Sequence, residues 1–208
     1  MTVDLCKARQ AVNKNMSLKG KIFVITGPSG VGKGTVVEKI LKRLDNIYLS
    51  ISVTTREKRA QEEEGVNYYF KTKEEFKKMI DGDDFLEWAE FAGDYYGTPK
   101  AFTNNYLSCG KDVLLEIEVQ GAKQIKQKRS DSVLIFLAPP SFRALEERLI
   151  KRQTENIEKI KIRLNKAKGE MKELSFFHYL VINDKVEEAV ENVLSIIKAE
   201  RCRINVTT

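Results

Sequence analysis

Residues 27–35 read GPSGVGKGT and lie between the apolar run KIFVIT (residues 21–26) and the sequence VVEKILKRL (residues 36–44). They fit the pattern G-x-x-x-x-G-K-[ST] except at Gly34, where a Ser or Thr is expected. The apolar residues that follow recur at helical spacing, which predicts a helix over residues 33–44 with one buried face. A strand, a glycine-rich loop and a helix in this order are typical of an α/β fold.

The glycine-rich loop has the composition of a phosphate-binding site. Gly27, Gly30 and Gly32 allow backbone angles with which successive N–H groups converge on phosphate oxygens. The helix that follows directs the positive end of its dipole to the same place, and Lys33 adds a compact cation. We therefore expect a nucleoside triphosphate to be bound by Gly27, Pro28, Ser29, Gly30, Val31, Gly32, Lys33, Gly34 and Thr35.

The metal ion that accompanies such a nucleotide has an unusual setting here. Gly34 lacks the hydroxyl that usually ligates Mg²⁺, and the hydroxyl of Thr35 points in a different helical direction. The run DVLLEIEV ends with Glu116 and Glu118, which would lie on the same side of a strand. We expect Mg²⁺ to be held largely through water and substrate phosphates, with Thr35 and Glu116 as its protein ligands.

Short β-rich runs alternate with helical patterns along the chain, which predicts parallel strands joined by crossover helices. The predicted strands are KIFVIT, NIYLSISVTT, DVLLEIEV, SVLIFLAP and HYLVIN. The last helix carries one apolar face from Val186 to Ile197. The predicted fold class is therefore α/β, with the parallel sheet of a P-loop NTPase flanked by helices.

Two segments interrupt this alternation. Residues 56–106 are rich in charge, Gly and Tyr, and we assign residues 52–106 to a small lobe in which Trp88 and the Phe residues form the core. Residues 142–173, the lid segment, are almost wholly charged with a helical period, which predicts a solvent-exposed helical flap. The core is then formed by residues 20–51, 107–141 and 174–205, after a loose N-terminal extension over residues 1–19.

Composition restricts the class of protein. The chain has 36 Lys and Arg against 30 Asp and Glu, a surplus that suits nucleic acid or phosphorylated small molecules. No nucleic-acid-binding module is recognisable, so we expect no nucleic acid as partner. Cys6, Cys109 and Cys202 form no C-x-x-C pair, which argues against a zinc site or a disulfide framework and favours a cytoplasmic location. No run approaches the ~20 apolar residues that span a bilayer, so we expect no membrane association.

The sequence resembles the guanylate kinase family from about Lys21 to Arg201. The resemblance rests on seven stretches in order, GPSGVGKGT, SVTTREKR, GVNYYF, FLEWAEFAGDYYGTP, LLEIEVQGA, FLAPPS and VIND. It implies a kinase that transfers the γ-phosphoryl group of ATP to GMP, with dGMP as a further acceptor and Mg²⁺ accompanying ATP. It also implies that the small lobe binds GMP and that the lid segment is mobile. The oligomeric state stays open, with a homodimer among the options.

The resemblance assigns roles to residues of the small lobe. The clamp on the GMP phosphate is expected from Arg56, Arg59, Tyr68 and Tyr96. Arginine forks suit phosphate oxygens because they offer two parallel N–H donors. Glu87 matches the acceptor for the N1 and 2-amino groups of guanine. The remaining expected GMP ligands are Ser52, Thr98 and Glu118.

The resemblance also assigns residues to ATP and to the transfer step. Arg148, Arg152 and Arg163 match the mobile lid arginines of the family. Together with Lys33 and Arg56 they are expected to neutralise charge on the transferred phosphoryl group. Asn183 matches an adenine-side contact, with an N-cap of the last helix, shared with Asp184, as an equal alternative.

The chain departs from the family pattern at several places. Gly34 replaces the usual Ser, and Glu116 and Glu118 stand where Asp is frequent. EKRAQ replaces an x-P-R-x-G turn, and KRQT replaces the GRG of the lid. These departures bear on metal geometry and rate, because a longer carboxylate moves its oxygens by one methylene and a lost Gly or Pro alters a turn.

Two other functions stay open on the sequence alone. A kinase for another nucleoside monophosphate is suggested by GKGT, which resembles the adenylate kinase loop, although Glu87 favours guanine. A non-catalytic interaction module is the second alternative. It is opposed by Lys33, Arg152 and Arg163, because such modules tend to lose the loop lysine and the lid arginines.

Overall fold

The computed structural model describes residues 19–91, 93–151 and 157–203, apart from the side chains of residues 157 and 159. Its central sheet is built from the strands β1 Ile22–Thr26, β2 Ile47–Leu49, β7 Asp112–Glu116, β8 Val133–Ala138 and β9 Tyr179–Ile182. Their order is β2-β7-β1-β8-β9, and every pairing is parallel. The predicted α/β fold with a parallel sheet is confirmed.

Helices cover both faces of this sheet. They are α1 Lys33–Leu41, α3 Lys100–Ser108, α4 Val119–Lys128 and α7 Val186–Cys202. Phe23 and Ile25 of β1 pack in one cluster with residues of α1 and α7. Ile22 and Val24 pack in a second cluster with residues of α3 and α4. Because both faces of β1 are buried, its sequence is a continuous apolar run, and the phosphate loop begins at its carboxyl end.

The small lobe carries a sheet of its own. Its strands are β3 Val53–Thr54, β4 Tyr69–Phe70, β5 Phe85–Phe91 and β6 Asp94–Pro99, in the order β4-β3-β6-β5. Helix α2, Lys73–Asp81, begins with a capping box formed by Thr72 and Glu75. Phe76 and Phe85 stack in the lobe core with ring centroids 4.5 Å apart. Phe91 is 38% exposed, so the prediction that it belongs to this core is wrong.

The run NIYLSISVTT forms two strands rather than the single strand predicted. The N–H of Ser50 donates to the carbonyl of Leu114 in the central sheet, at 2.9 Å. The N–H of Tyr69 donates to the carbonyl of Ser52 in the small-lobe sheet, also at 2.9 Å. The chain therefore leaves one sheet and enters the other within residues 50–52. Both halves are β-rich, so composition does not reveal the change of sheet.

The lid segment forms two helices, α5 Phe142–Lys151 and α6 Ile157–Met171, followed by a 3₁₀ turn over Leu174–Phe176. The prediction of a solvent-exposed flap is wrong for one face of these helices. Their buried cluster consists of Leu145, Leu149, Ile160 and Ala167. Leu149 also meets the phosphate loop, because a Cβ at Gly30 would lie 2.7 Å from its Cδ2 atom. Helix α5 is thus packed against the loop.

None of the described helices combines the length and apolar character needed to cross a bilayer.

Two glycines give a matched test of this packing. At Gly97 of β6, a Cβ would lie 2.8 Å from two ring carbons of Phe85, whereas at Gly169 of α6 it would meet nothing within 4 Å. Gly97→Ala should lower the free energy of unfolding by about 1–3 kcal/mol through overpacking. Gly169→Ala should raise it by about 0.5–1 kcal/mol, because Ala has the higher helix propensity. Urea unfolding followed by circular dichroism measures both changes, and equal stability of the two variants would contradict the packing.

Candidate functional site

The phosphate loop is shaped for an anion. Gly30 and Gly32 have φ angles of 90° and 96°, which suit glycine, and the N–H of Val31 donates to the carbonyl of Pro28 at 3.1 Å. Gly32 is the N-cap of α1, and no side chain of the described residues caps that helix. The first-turn N–H groups are therefore available to phosphate oxygens. Lys33 adds its ammonium, which donates to the carbonyl of Gly27 at 2.6 Å.

Asn183 supports the loop from the end of β9. It is 2% exposed, and its Nδ2 donates to the carbonyl of Val31 at 2.7 Å. A Cβ at Gly32 would lie 2.8 Å from the same Nδ2 atom, so glycine is needed there for close approach as well as for its φ angle. The N-cap of α7 is Lys185, so the N-cap alternative for Asn183 is wrong.

The arginines predicted in the lid segment have different surroundings. Arg148 donates from Nη1 to the carbonyl of Asn183 at 2.8 Å and from Nη2 to that of Asp184 at 3.2 Å. Arg163 of α6 donates to the Ser29 hydroxyl of the phosphate loop at 3.3 Å. Arg152 lies outside the described residues. The structure therefore brings Arg163 to the loop and places Arg148 on the turn that supports it.

A cavity of ≈ 290 Å³ opens between the central sheet and the small lobe. Seven residues predicted from the sequence line it, namely Lys33, Ser52, Tyr68, Glu87, Tyr96, Glu116 and Glu118. Six further lining residues were not predicted, namely Leu49, Ser50, Asn67, Ala89, Phe91 and Ile117. The ammonium at the phosphate loop and the carboxylate of β5 therefore face one shared space.

Glu87 is the most deeply buried carboxyl of this cavity, with 4% exposure. Its Oε1 accepts a hydrogen bond from Thr98 Oγ1 at 2.6 Å. Burial raises the pKa of Glu87 to about 7, although Thr98 and Lys128 favour the ionised form. Gly121 of α4 provides its space, because a Cβ there would lie 2.9 Å from the carboxyl carbon. The sequence analysis did not predict this role of Gly121. The glycine in the QGA stretch is the one sequence feature that could have indicated it.

Glu116 and Glu118 do not lie on one strand as predicted. Strand β7 ends at Glu116, and Glu118 is the N-cap of α4. Both still line the cavity. Burial raises the pKa of Glu116, whereas at Glu118 Lys33 and Lys166 outweigh burial and lower the pKa. The two carboxylates therefore differ in their affinity for a proton, although they are only two residues apart in sequence.

The expected phosphate clamp is partly assembled. Arg56 lies with its guanidinium carbon 5.6 Å from the Tyr68 ring centroid, and the rings of Tyr68 and Tyr96 are 6.1 Å apart. Arg56 Nη2 donates to Glu62 Oε1 at 2.7 Å, and the backbone N–H of Arg59 donates to Glu62 Oε2 at 2.9 Å. The side chain of Arg59 is exposed. Glu62, which the sequence reasoning missed, thus links the two arginine positions.

A profile of the family described as Guanylate kinase matches residues 19–200 of the chain. The chain belongs to the guanylate kinase family. It is 47% identical over 187 residues to a guanylate kinase of Thermotoga maritima, covering 90% of each chain. It is 50% identical over 190 residues to one of Lactococcus lactis, covering 91% of this chain and 93% of that one.

The fold agrees with a solved member of the guanylate kinase family. The crystal structure of guanylate kinase from Anaplasma phagocytophilum superimposes with a TM-score of 0.74 at 32% identity, covering 88% of this chain and 87% of that one. The family resemblance drawn from seven separate stretches is confirmed.

The buried carboxyl of Glu87 makes stability depend on pH. Folded, it keeps its proton up to about pH 7, whereas the ordinary value of its pKa is 4.5. Between these values the unfolded chain binds fewer protons, so the free energy of unfolding falls as the pH rises. The Glu87→Gln variant has no carboxyl to ionise at this position, so this fall in the free energy of unfolding is absent. Its stability relative to wild type should rise by on the order of 2 kcal/mol between pH 5 and pH 8 in urea unfolding.

Glu90→Gln is the matched control, because Glu90 is exposed on the same strand. Its stability relative to wild type should stay constant over this pH range. A Glu87→Gln variant that follows the wild-type pH dependence would show that the carboxyl is ionised in the folded chain.

Proposed function

We propose that this chain transfers the γ-phosphoryl group of ATP to GMP, and also to dGMP, through the residues that line the cavity and the phosphate loop. The observation that carries this proposal is that Lys33 of the loop and the buried carboxyl of Glu87 face one cavity. An anion-binding loop and a buried acceptor on one cavity suit a nucleotide, whose phosphate is negative and whose base carries N–H donors. Membership of the guanylate kinase family supports ATP as donor and GMP as acceptor.

Guanine is recognised beside the buried carboxyl of Glu87. Its N1–H and 2-amino groups are donors, and the Glu87 carboxyl accepts from both once it is ionised, which its pKa of about 7 permits near neutral pH. Thr98 already bonds one Glu87 oxygen and so fixes the carboxylate. Ser52 and Glu118 complete the polar wall of the base site. Adenine offers no donor at N1, and a buried polar group left unpaired costs about 1–3 kcal/mol, so AMP is rejected.

The phosphate of GMP is held by Arg56, Arg59, Tyr68 and Tyr96. Arg56 is oriented by Glu62, which accepts from its guanidinium, while Tyr68 lies against the guanidinium. One guanidinium group can donate two parallel hydrogen bonds to phosphate oxygens, and each tyrosine hydroxyl can donate one more. Glu62 therefore acts as a positioning residue for the clamp.

Transfer requires alignment and charge neutralisation more than covalent work by the protein. An oxygen of the GMP phosphate forms a bond to the γ-phosphorus, the bond from that phosphorus to the β,γ-bridging oxygen breaks, and ADP leaves. Lys33 and Arg163 approach from the loop and from α6 to stabilise the charge. Arg148 positions the Asn183 turn on the ATP side, and Arg152 is assigned to the same set from its motif alone.

The protein ligands for Mg²⁺ are few. In the part of the chain that the structure describes, no group of three or more His, Cys, Asp or Glu side chains is placed to hold a metal ion. Glu116 lies beside Gly34, where a Cβ would be 3.8 Å from its Oε2 atom. Mg²⁺, when bound with ATP, neutralises phosphate charge. Glu116 and Thr35 would hold it, largely through water, because Gly34 offers no hydroxyl.

We also propose the division into a core, a GMP-binding small lobe over residues 52–106 and a lid over residues 142–173, and a cytoplasmic location. The two separate sheets support the division. Cys109 and Cys202 are free thiols on the surface, which suits a reducing compartment.

The function is tested by ADP production from Mg-ATP with GMP, dGMP, AMP, CMP, UMP and dTMP offered singly. GMP and dGMP should turn over and the others should not. Lys33→Met should lower kcat at least ~100-fold, because it removes a preorganised charge from the phosphates. Lys39→Met is the control and should keep full activity, because Lys39 lies on the same helix as Lys33 but forms only an exposed ion pair with Glu187 of α7. Binding of GMP without turnover by the wild-type chain would favour the interaction-module alternative.

The metal assignment is tested at Gly34. Gly34→Ser adds a hydroxyl without steric conflict, because the new Cβ meets Glu116 at ordinary contact distance. It should tighten binding of Mn²⁺, used in place of Mg²⁺, to the complex of the enzyme with ATP by about fivefold, the equivalent of ~1 kcal/mol. Electron paramagnetic resonance measures the free metal ion. Gly34→Ala, which adds the carbon alone, should leave the metal affinity unchanged, and equal tightening by both variants would contradict the assignment.

A further inference from the structure

Lys166 of α6 contacts residues of the lid segment, the core and the small lobe. Its ammonium donates to Glu118 Oε2 at 2.7 Å and lies 3.6 Å from Glu170 Oε1 on its own helix. The same ammonium lies 4.1 Å from the centroid of the Phe91 ring. Glu118 belongs to the core and Phe91 to the small lobe. One side chain therefore joins three parts of the fold.

Both partners of Lys166 outside its own helix belong to the wall of the proposed GMP cavity. Phe91 was predicted to lie in the core of the small lobe but is exposed. A cation over its ring is favourable and fixes the position of α6 relative to the end of β5. The contact thus lies at the rim of the acceptor cavity, although it comes from the segment assigned to ATP.

Charge around Glu118 explains why the rim holds a cation. Glu118 lies near two other carboxyl groups, those of Glu116 and Glu170. The positive charge of Lys33 also attracts the Glu118 carboxylate, but the Lys33 ammonium donates its hydrogen bond to the carbonyl of Gly27. Without Lys166, the ammonium of Lys33 would still act on all three carboxyl groups, but Glu118 would lose its hydrogen-bond donor on α6. The hydrogen bond from Lys166 holds the Glu118 carboxylate in one orientation at the cavity wall.

A second ion pair joins the lid segment to the core, but neither of its residues lines the cavity. Lys123 of α4 lies 2.8 Å from Glu173, near the end of the lid segment. Its exposure of 39% equals that of Lys166. Glu173 does not line the cavity, and neither does Lys123. Lys123 is therefore a matched control for an ion pair that joins the lid segment to the core only.

We propose that Lys166 is a positioning residue that couples the lid segment to the GMP cavity. It orients Glu118 for the base and holds α6 against Phe91 at the rim. GMP binding, which orders this wall, thereby favours the lid position in which Arg163 meets the phosphate loop. This role of Lys166 rests on the proposed function. It means that a residue of the lid segment affects the binding of GMP rather than the binding of ATP.

Steady-state kinetics of Lys166→Met tests the coupling, since Met keeps the aliphatic length and removes the charge. KM for GMP should rise about fivefold, equivalent to ~1 kcal/mol, while KM for ATP changes less than about twofold. Lys166→Arg should stay within about twofold of wild type in both constants, because a guanidinium can bond the carboxylate and stack on the ring. Lys123→Met should leave KM for GMP unchanged.

A double-mutant cycle with Phe91→Leu separates the aromatic contact from the ion pair. Lys166→Met should raise KM for GMP less in the Phe91→Leu background than in wild type. Lys166→Gln is a second neutral variant, should the Met variant fail to fold by circular dichroism. An unchanged KM for GMP in both neutral variants, an equal rise in Lys123→Met, or no recovery in Lys166→Arg would overturn the proposal. A wild-type chain that does not turn over GMP would instead overturn the proposed function.

Discussion

The hydrogen bond from the Asn183 amide to the Val31 carbonyl is the constraint on which the site depends. It joins the end of β9 to the phosphate loop across 152 residues of sequence, at a donor–acceptor distance of 2.7 Å. Arg148 secures the carbonyl of Asn183, and the neighbouring Leu149 packs on Gly30. The loop is therefore held from the sheet and from α5 together. Glycine supplies the permitted angles, but distant contacts select among them.

Charged groups of both signs lie in or beside the wall of the cavity. Carboxyl groups of Glu87 and Glu118 line one part of its wall, while Lys33 belongs to the phosphate loop and Arg56 stands beside Tyr68. In the proposed site, the N–H donors of the base pair with carboxyl groups and the phosphate pairs with cations, which favours one orientation of the nucleotide. Burial makes the Glu87 carboxyl costly to leave unpaired, which is the physical basis of the proposed selectivity.

Sequence alone predicted the features that depend on neighbouring residues. The strand, loop and helix around Lys33 follow from composition and spacing over residues 21–44, and the parallel sheet follows from the alternation of elements. The features missed depend on contacts distant in sequence. Gly121 makes room for Glu87, and the apolar face of the lid segment packs on the loop. No local pattern encodes such contacts, because each is set by an element elsewhere in the chain.

The change of sheet at residues 50–52 separates the small lobe from the core only in part. The sheet β4-β3-β6-β5 shares no strand with the central sheet, and its core of Phe76 and Phe85 forms a cluster of its own. Leu86 of β5 nevertheless packs in the cluster that contains Ile22 and Val24 of β1. A substitution at Phe76 would therefore disturb the lobe core alone, whereas one at Leu86 would also disturb the sheet that carries the phosphate loop.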